Sequence, residues 1–382
     1  VARVGGLSAL TGKLREIYGA GEAASILSFF PPAGAEWAGA QVMLIYLFVV
    51  WWAQQHADGG GYIAQRLCAA ASPRDAYRGA LWFAVANYVV RPWPWVLVGL
   101  VGLVLVPRGM EAPGGSIAAR ILADREAAYP LLMAEILPAG LLGLALAGMV
   151  SAFMSTVDTH LNWGTSYLVN DLYARFLRPR AGRREVIFVS RAAVLLMTLG
   201  SLAVAARIGS IEWAWKFNVS LGAGLGLPVL LRWLWWRANA WTEVAGMAAA
   251  GLTTAALHWA GASPSFPVLL TAQASVGGAA MLVATLLTRP VERGVLRRFY
   301  REALPPGAWG PVRERGEAGT PALPLAAEWA LLSAAVFAGM FLVGALLVGT
   351  PGEAAGWTAL LAASWAGAVL LRRWMSPAAA LS

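Results

Sequence analysis

Residues 144–173 read LALAGMVSAFMSTVDTHLNWGTSYLVNDLY. The apolar length of this stretch exceeds the roughly 20 residues needed to cross about 30 Å of hydrocarbon. In lipid each backbone amide must find an internal partner, so such a run is a membrane-crossing helix. Yet Ser151, Ser155, Asp158, Thr159, Asn162, Thr165 and Ser166 recur along it. At 100° per residue these seven fall within about 120° of arc, with Thr156 just beyond. A polar stripe on an apolar spanning helix faces protein or water, not lipid. Two readings stay open. Ser and Thr let helices pack closely, or Asp158 beside Ser155 and Thr156 offers hard oxygen ligands of the kind a small alkali cation needs, by extension from calcium and magnesium sites.

The rest of the chain agrees with a membrane solvent. Hydrophobic residues make up 59% and charged residues 13%, a balance that leaves too little charge to coat a water-soluble surface. Nine long apolar stretches are expected to span, near 37–57, 78–106, 137–170, 184–207, 211–236, 241–260, 264–287, 326–348 and 355–371. The expected fold class is therefore an all-α polytopic membrane protein.

A net charge of +9 raises the question of nucleic acid, but its distribution answers it. Segments 58–78, 171–185, 232–243, 288–325 and the tail after Leu371 hold 19 Lys or Arg, against 4 in loops 107–136, 207–212, 261–263 and 349–354. Basic excess marks the cytoplasmic side, which puts Trp37 outside and the C-terminus in the cytoplasm of a multi-pass protein of the inner membrane. The lipid bilayer is the partner this charge implies, and no nucleic acid is expected. Cys68 is the single cysteine, so no disulfide forms within one chain. Lys13, Arg15, Glu16 and Glu22 interrupt residues 1–30, and no signal peptide is read there. No nucleophile–His–acid grouping, metal set or phosphate loop occurs, so no enzyme is expected.

Three further stretches carry polar groups into or beside the membrane. Arg91-Pro92-Trp93-Pro94-Trp95 lies near the middle of a spanning stretch, where the prolines predict a kink. Arg91 at that depth must face the interior, either paired with Asp58 or Asp158 or in contact with an anionic substrate, and Asn87 shares its face one turn earlier. WWAQQHADGGGYIAQR (51–66) runs Gln54, Gln55, His56 and Asp58 into three glycines, either a helix end with a flexible exit or an interruption that presents backbone groups to a ligand. Within 288–325, Val291, Val295 and Phe299 alternate with Arg297, Arg298 and Arg301, as in a short basic helix on anionic headgroups or a solvated loop.

LAGMVSAFMSTVDTHLNWGTSYLVNDLYARFLRP (146–179) resembles the signature helix of the sodium:solute symporter family, and GYIAQRLCAAASPRDAYRGALWF (61–83) is similar to its preceding helix exit and loop. RPWPW, RWLWWRANAWTEVAGM (232–247) and FYREALPPGAW (299–309) look like a bacterial branch distinct from the sugar and proline transporters. The resemblance implies two inverted five-helix repeats with sodium and a small-molecule solute between them. Residues 37–237 then form the second repeat, 1–36 an external loop before it, and 238–382 peripheral helices with the cytoplasmic loop 288–325. It implies a sodium site from the Ala152 carbonyl and the Ser155 and Thr156 hydroxyls, with Asp158 and Thr159 as candidates for a second ion. Gln54, Gln55, His56, Asn87 and Arg91 are its solute-facing candidates. Asn87 stands where sugar-transporting members carry a substrate-contacting lysine, and the aromatic gate expected near His56 is absent. The first repeat has no counterpart before Trp37, so the resemblance implies an N-terminally truncated member that requires the missing repeat as a partner. The function expected is sodium-coupled symport of a small solute. The alternative is a membrane sensor or input domain with a symporter-like fold and no transport.

Overall fold

The computed structural model describes residues 1–30, 52, 60–262, 264–314, 317 and 319–375. Those residues form helices and no strand; a single bridge pairs Trp235 with Ala308. Among the described residues six helices are long and apolar enough to cross a membrane: Pro73–Leu105, Ala139–Leu177, Arg183–Ala205, Phe266–Leu287, Ala322–Val348 and Pro351–Met375. The expectation of an all-α polytopic protein is met. Of the remaining expected spans, 37–57 lies outside the described residues apart from Trp52. The stretch 211–236 is two helices, Ile211–Gly222 and Gly226–Leu234, separated where LGAGLG puts three glycines in six residues and Pro228 follows. Glycine lowers helix stability by about 1 kcal/mol relative to alanine, and here three of them coincide. The stretch 241–260 is the helix Ala240–Trp259, which is not among the six.

The chain divides into two compact units, residues 108–214 and the remainder. In the larger unit, α1 (Leu7–Leu27) was not anticipated within 1–36, because its glycines and mixed charges hide any periodic face. It buries Leu10, Leu14 and Ala23 against Leu100 and Val101, and the Tyr18 hydroxyl donates to the Leu103 carbonyl at 3.1 Å. α2 (Gly60–Cys68) leads to α3 (Pro73–Ala84), which starts on a reciprocal cap. The Ser72 hydroxyl accepts from the Asp75 amide at 3.1 Å and donates to the Asp75 carboxylate at 2.6 Å. The proline kink is present in a specific form. Val85–Val90 is a π-helical turn, closed by the Arg91 amide donating five residues back to Ala86 at 3.1 Å, and α4 (Pro92–Leu105) starts afresh on a proline. Proline at the first helical position loses no bond, which is why the break falls there.

The smaller unit holds α5 (Ile117–Ala123), α6 (Ala128–Ile136), α7 (Ala139–Ser166) with its π-helical extension Tyr167–Leu177, and α8 (Arg183–Ala205). Glu126 accepts from the first amides of the next helix, Ile211 at 2.9 Å and Glu212 at 3.3 Å, a carboxylate placed where the helix dipole favours it. Loops 107–136 and 207–212, assigned to the same side by charge, therefore touch. At the α7–α8 turn, Glu185 accepts from the Tyr173 hydroxyl at 2.7 Å and from Arg178 at 3.2 Å.

The first residues of α9 (Ile211–Gly222) still belong to the smaller unit, which ends at Ala214; in the larger unit α10 (Gly226–Leu234), α11 (Ala240–Trp259), α12 (Phe266–Leu287), α13 (Arg293–Ala303), α14 (Ala322–Val348) and α15 (Pro351–Met375) follow in order. Small residues let α11 and α12 approach closely, and polar pairs fasten them. Buried Thr242 and Thr285 share a 2.7 Å hydrogen bond, and buried Gln273 accepts from Ser220 at 2.8 Å while donating to Thr254 at 2.7 Å. Gln273 is the one amide side chain of this helix, whose other polar residues are the hydroxyls Thr271, Ser275 and Thr285. Where α3, α14 and α15 end together, Glu328 is 9% exposed, accepts from the Tyr77 hydroxyl at 2.9 Å and lies 3.8 Å from Arg372, whose guanidinium stacks over the Tyr77 ring. Removing one donor from a buried carboxylate costs about 1–3 kcal/mol. Tyr77→Phe is therefore expected to lower stability by that amount in detergent unfolding, and no change would mean that Arg372 alone satisfies Glu328.

Candidate functional site

α7 is a single helix because 144–166 contains no proline and few β-branched residues, and it begins after Pro138. Hydroxyls on such a helix return to the carbonyl one turn back. Ser151 donates to Ala147 at 2.7 Å, Thr156 to Ala152 at 2.9 Å, and Thr159 to Ser155 at 2.8 Å. The consequence is a line of paired oxygens, with the Thr156 hydroxyl oxygen and Ala152 carbonyl oxygen already in contact. Hard cations bind oxygens at roughly 2.3–2.6 Å. Two oxygens 2.9 Å apart can both lie at that distance from one ion once the hydroxyl hydrogen turns away. The residues present fit a small cation.

Ala152, Ser155 and Thr156 are exposed on this chain and Thr159 is half-buried; positions i, i+3, i+4 and i+7 give them one side of the helix. Asp158 is also exposed and sits at the other edge of the stripe, where its carboxylate accepts from the Asn162 amide at 3.1 Å. Thr165 alone in α7 is buried, 7% exposed, and its hydroxyl meets the Met197 sulfur at 3.9 Å. So the stripe divides: Thr165 packs against α8, as the packing reading had it, while the middle remains open on this chain.

The second candidate group is partly described. Gln54, Gln55 and His56, together with Asp58, lie outside the described residues. Arg91 is exposed on this chain, and its guanidinium donates to the Asn87 amide oxygen at 2.6 Å. The π-helical turn places Asn87, one turn earlier, within reach as an uncharged acceptor, while the expected partner Asp58 lies outside the described residues. The face shared by Asn87 and Arg91 is as read from the sequence.

The π-helical turns at Val85–Val90 and Tyr167–Leu177 were missed. Such turns often mark functional positions, and each flanks a candidate group: one ends at Arg91, the other continues the stripe, where Asn170 donates to Ser166 at 3.0 Å. Pro92 was the available signal for the first; the second has none in the residues around it.

A model of the sodium:solute symporter family matches residues 1–249, which include both candidate groups. The motif 299–309 lies beyond that match. The chain is similar to the human sodium/myo-inositol cotransporter 2, 35% identical over 144 residues, 37% of this chain and 21% of that protein. It is 30% identical to the Vibrio parahaemolyticus sodium/glucose cotransporter over 184 residues, 46% of this chain and 33% of that protein. It is likewise 30% identical to the high-affinity proline transporter PutP of Bacillus subtilis over 176 residues, 45% of this chain and 36% of that protein. The match thus spans between about a fifth and just over a third of the length of these curated relatives. With well over half its residues inside the family match, the chain belongs to the sodium:solute symporter family.

Proposed function

We propose that this chain works in sodium-coupled symport of a small solute across the cytoplasmic membrane, with sodium as a co-transported substrate and no enzymatic step. The observation that carries this reading is the pair of oxygens on Ala152 and Thr156, 2.9 Å apart on the polar side of an apolar spanning helix. Ser155 adds a second hydroxyl on the same side. In this reading Ala152, Ser155 and Thr156 hold one ion, and Asp158 and Thr159 serve a second beside it. Asn87 and Arg91, with Gln54, Gln55 and His56, face the solute. The paired Asn87–Arg91 side chains offer an amide and a cation to a carboxylate or hydroxyl. Residues 37–237 act as the second five-helix repeat, 1–36 as the external segment before it and 238–382 as peripheral helices, with the basic loops and the C-terminus in the cytoplasm. A first repeat completes the site as the partner of the second.

The relatives are named for myo-inositol, glucose and proline, so these three radiolabelled solutes are the first to offer. Cells expressing the protein from its complete gene should accumulate one of them under an inward sodium gradient. Accumulation should fall to background when potassium replaces sodium. Uptake indifferent to the sodium gradient would contradict the proposal.

A further inference from the structure

α3 with its π-helical continuation, α14 and α15 leave between them a cleft of about 370 Å³ that the proposed transport does not use. Arg78, Leu81, Trp82, Val85 and Val89 line it at i, i+3, i+4, i+7 and i+11, so one side of one helix runs along its whole length. Leu332, Val336 and Gly339 do the same on α14, and α15 adds Leu361 and Trp365. The helices are tied at both ends of the cleft. At one end Glu328 accepts from Tyr77, the neighbour of Arg78, at 2.9 Å. At the other, Gly339 lets Val89 come close: a methyl built on Gly339 would lie 3.3 Å from a Val89 methyl carbon. Between the ties α14 presents Ala335, whose single methyl leaves the gap unfilled. Among the described residues the cleft opens sideways, since Trp82 is 72% and Trp365 49% exposed. In a membrane that side is hydrocarbon. Atoms lining an empty gap lose their dispersion contacts, so an apolar chain that can enter is favoured there.

Length and charge identify the chain. From Arg78 to Val89 the helix rises roughly 15 Å, half of the about 30 Å hydrocarbon thickness and so the depth of one leaflet. Arg78 is the last charged residue before the uncharged run 79–90, which puts its guanidinium at headgroup level. The other charges at that end are engaged. Glu328 is answered by Tyr77 and by Arg372 at 3.8 Å, and Asp75, one turn before Arg78, accepts from the Ser72 hydroxyl at 2.6 Å. Arg78 is exposed and has no acidic partner among the described residues.

We propose that this cleft binds an acyl chain of an anionic phospholipid, with the lipid phosphate on Arg78. The claim needs only the membrane setting and stands whether or not the chain transports sodium. One arginine near an anionic surface adds about fivefold to affinity, which is the preference expected over a zwitterionic lipid.

The protein from its complete gene, in phosphatidylcholine nanodiscs, is irradiated with phosphatidylglycerol carrying a photoreactive group midway along one chain. A parallel sample receives phosphatidylcholine with the same chain. Adducts mapped by mass spectrometry should concentrate on peptides holding residues 79–89, 332–339 and 361–365, about fivefold more with phosphatidylglycerol. Arg78→Gln should lower that yield to the phosphatidylcholine level, and Arg78→Lys should keep it. Val336→Trp fills the cleft from α14 and should remove these adducts for both lipids. Val283→Trp, at a 56% exposed position of α12, should leave them. The proposal is overturned by adducts spread evenly over the apolar helices or by equal yields from the two lipids. A preference that survives Arg78→Gln, or adducts that survive Val336→Trp, overturn it as well.

Discussion

Replacing Ser155 or Thr156 with alanine, in the protein expressed from its complete gene, is expected to raise the sodium concentration for half-maximal uptake well above tenfold. Each change deletes one hydroxyl from the side of α7 that carries the Ala152 carbonyl. A contact of hydrogen-bond strength to a charged group contributes roughly 1.5–3 kcal/mol, and about 1.4 kcal/mol corresponds to a factor of ten. The helix itself keeps its backbone bonds, so expression should be unchanged. Thr156→Ala also removes the hydroxyl that now donates to Ala152, leaving that carbonyl with only its helical partner. Thr156→Ser keeps the oxygen and should lie close to wild type. Because coupled ligands affect one another reciprocally, solute affinity in the alanine variants should fall mainly at low sodium. Unchanged sodium dependence in both, with normal expression, would leave these hydroxyls as packing groups.

The second large effect is structural. Gly224, in the gap between α9 and α10, and Gly246 on α11 approach each other without side chains between them. A methyl built on Gly224 would sit 2.6 Å from the Gly246 carbonyl oxygen and 2.7 Å from the Ala250 Cβ. One on Gly246 would sit 2.6 Å from the Gly224 carbonyl oxygen. Backbone cannot swing aside as a flexible side chain can, so α11 would have to retreat from the gap and from α12 behind it. Overpacking of a tight site costs typically 1–3 kcal/mol, and more for a branched side chain against backbone. Gly246→Val should therefore yield little monodisperse protein in size-exclusion chromatography, and Gly246→Ala a reduced amount. Gly251→Val is the control on the same helix, since a methyl there has no neighbour within 4 Å. Equal recovery of the Gly246→Val and Gly251→Val variants would show that the helices do not meet at these glycines.

The apolar runs and the fold class were legible because lipid leaves so few solutions for the backbone. The polar ladder was legible for a similar reason: hydroxyls at helical spacing share a side whatever surrounds them. What failed to show depends on where the backbone goes. The break at Pro92 was visible, but not that Ala86 would receive the Arg91 amide in a π-helical turn. Charge alone turns the reading of Arg91 toward a carboxylate, and so passes over the Asn87 amide that its guanidinium reaches on its own helix. α1 stayed hidden because LSALTGKLREIYGAGEAASIL mixes charges of both signs with three glycines, and its buried Leu10 and Leu14 matter only once Leu100 and Val101 are beside them. The stretch near 211–236 was counted as one span on apolarity alone, although its three glycines marked the gap.

Binding of radioactive sodium to the purified protein from the complete gene tests the account most directly, since it needs no knowledge of the solute. The expected result is saturable binding that unlabelled sodium displaces and equal potassium does not, lost when Ser155→Ala and Thr156→Ala are combined. A double variant that binds sodium as the wild type does would contradict the assignment of the site to α7.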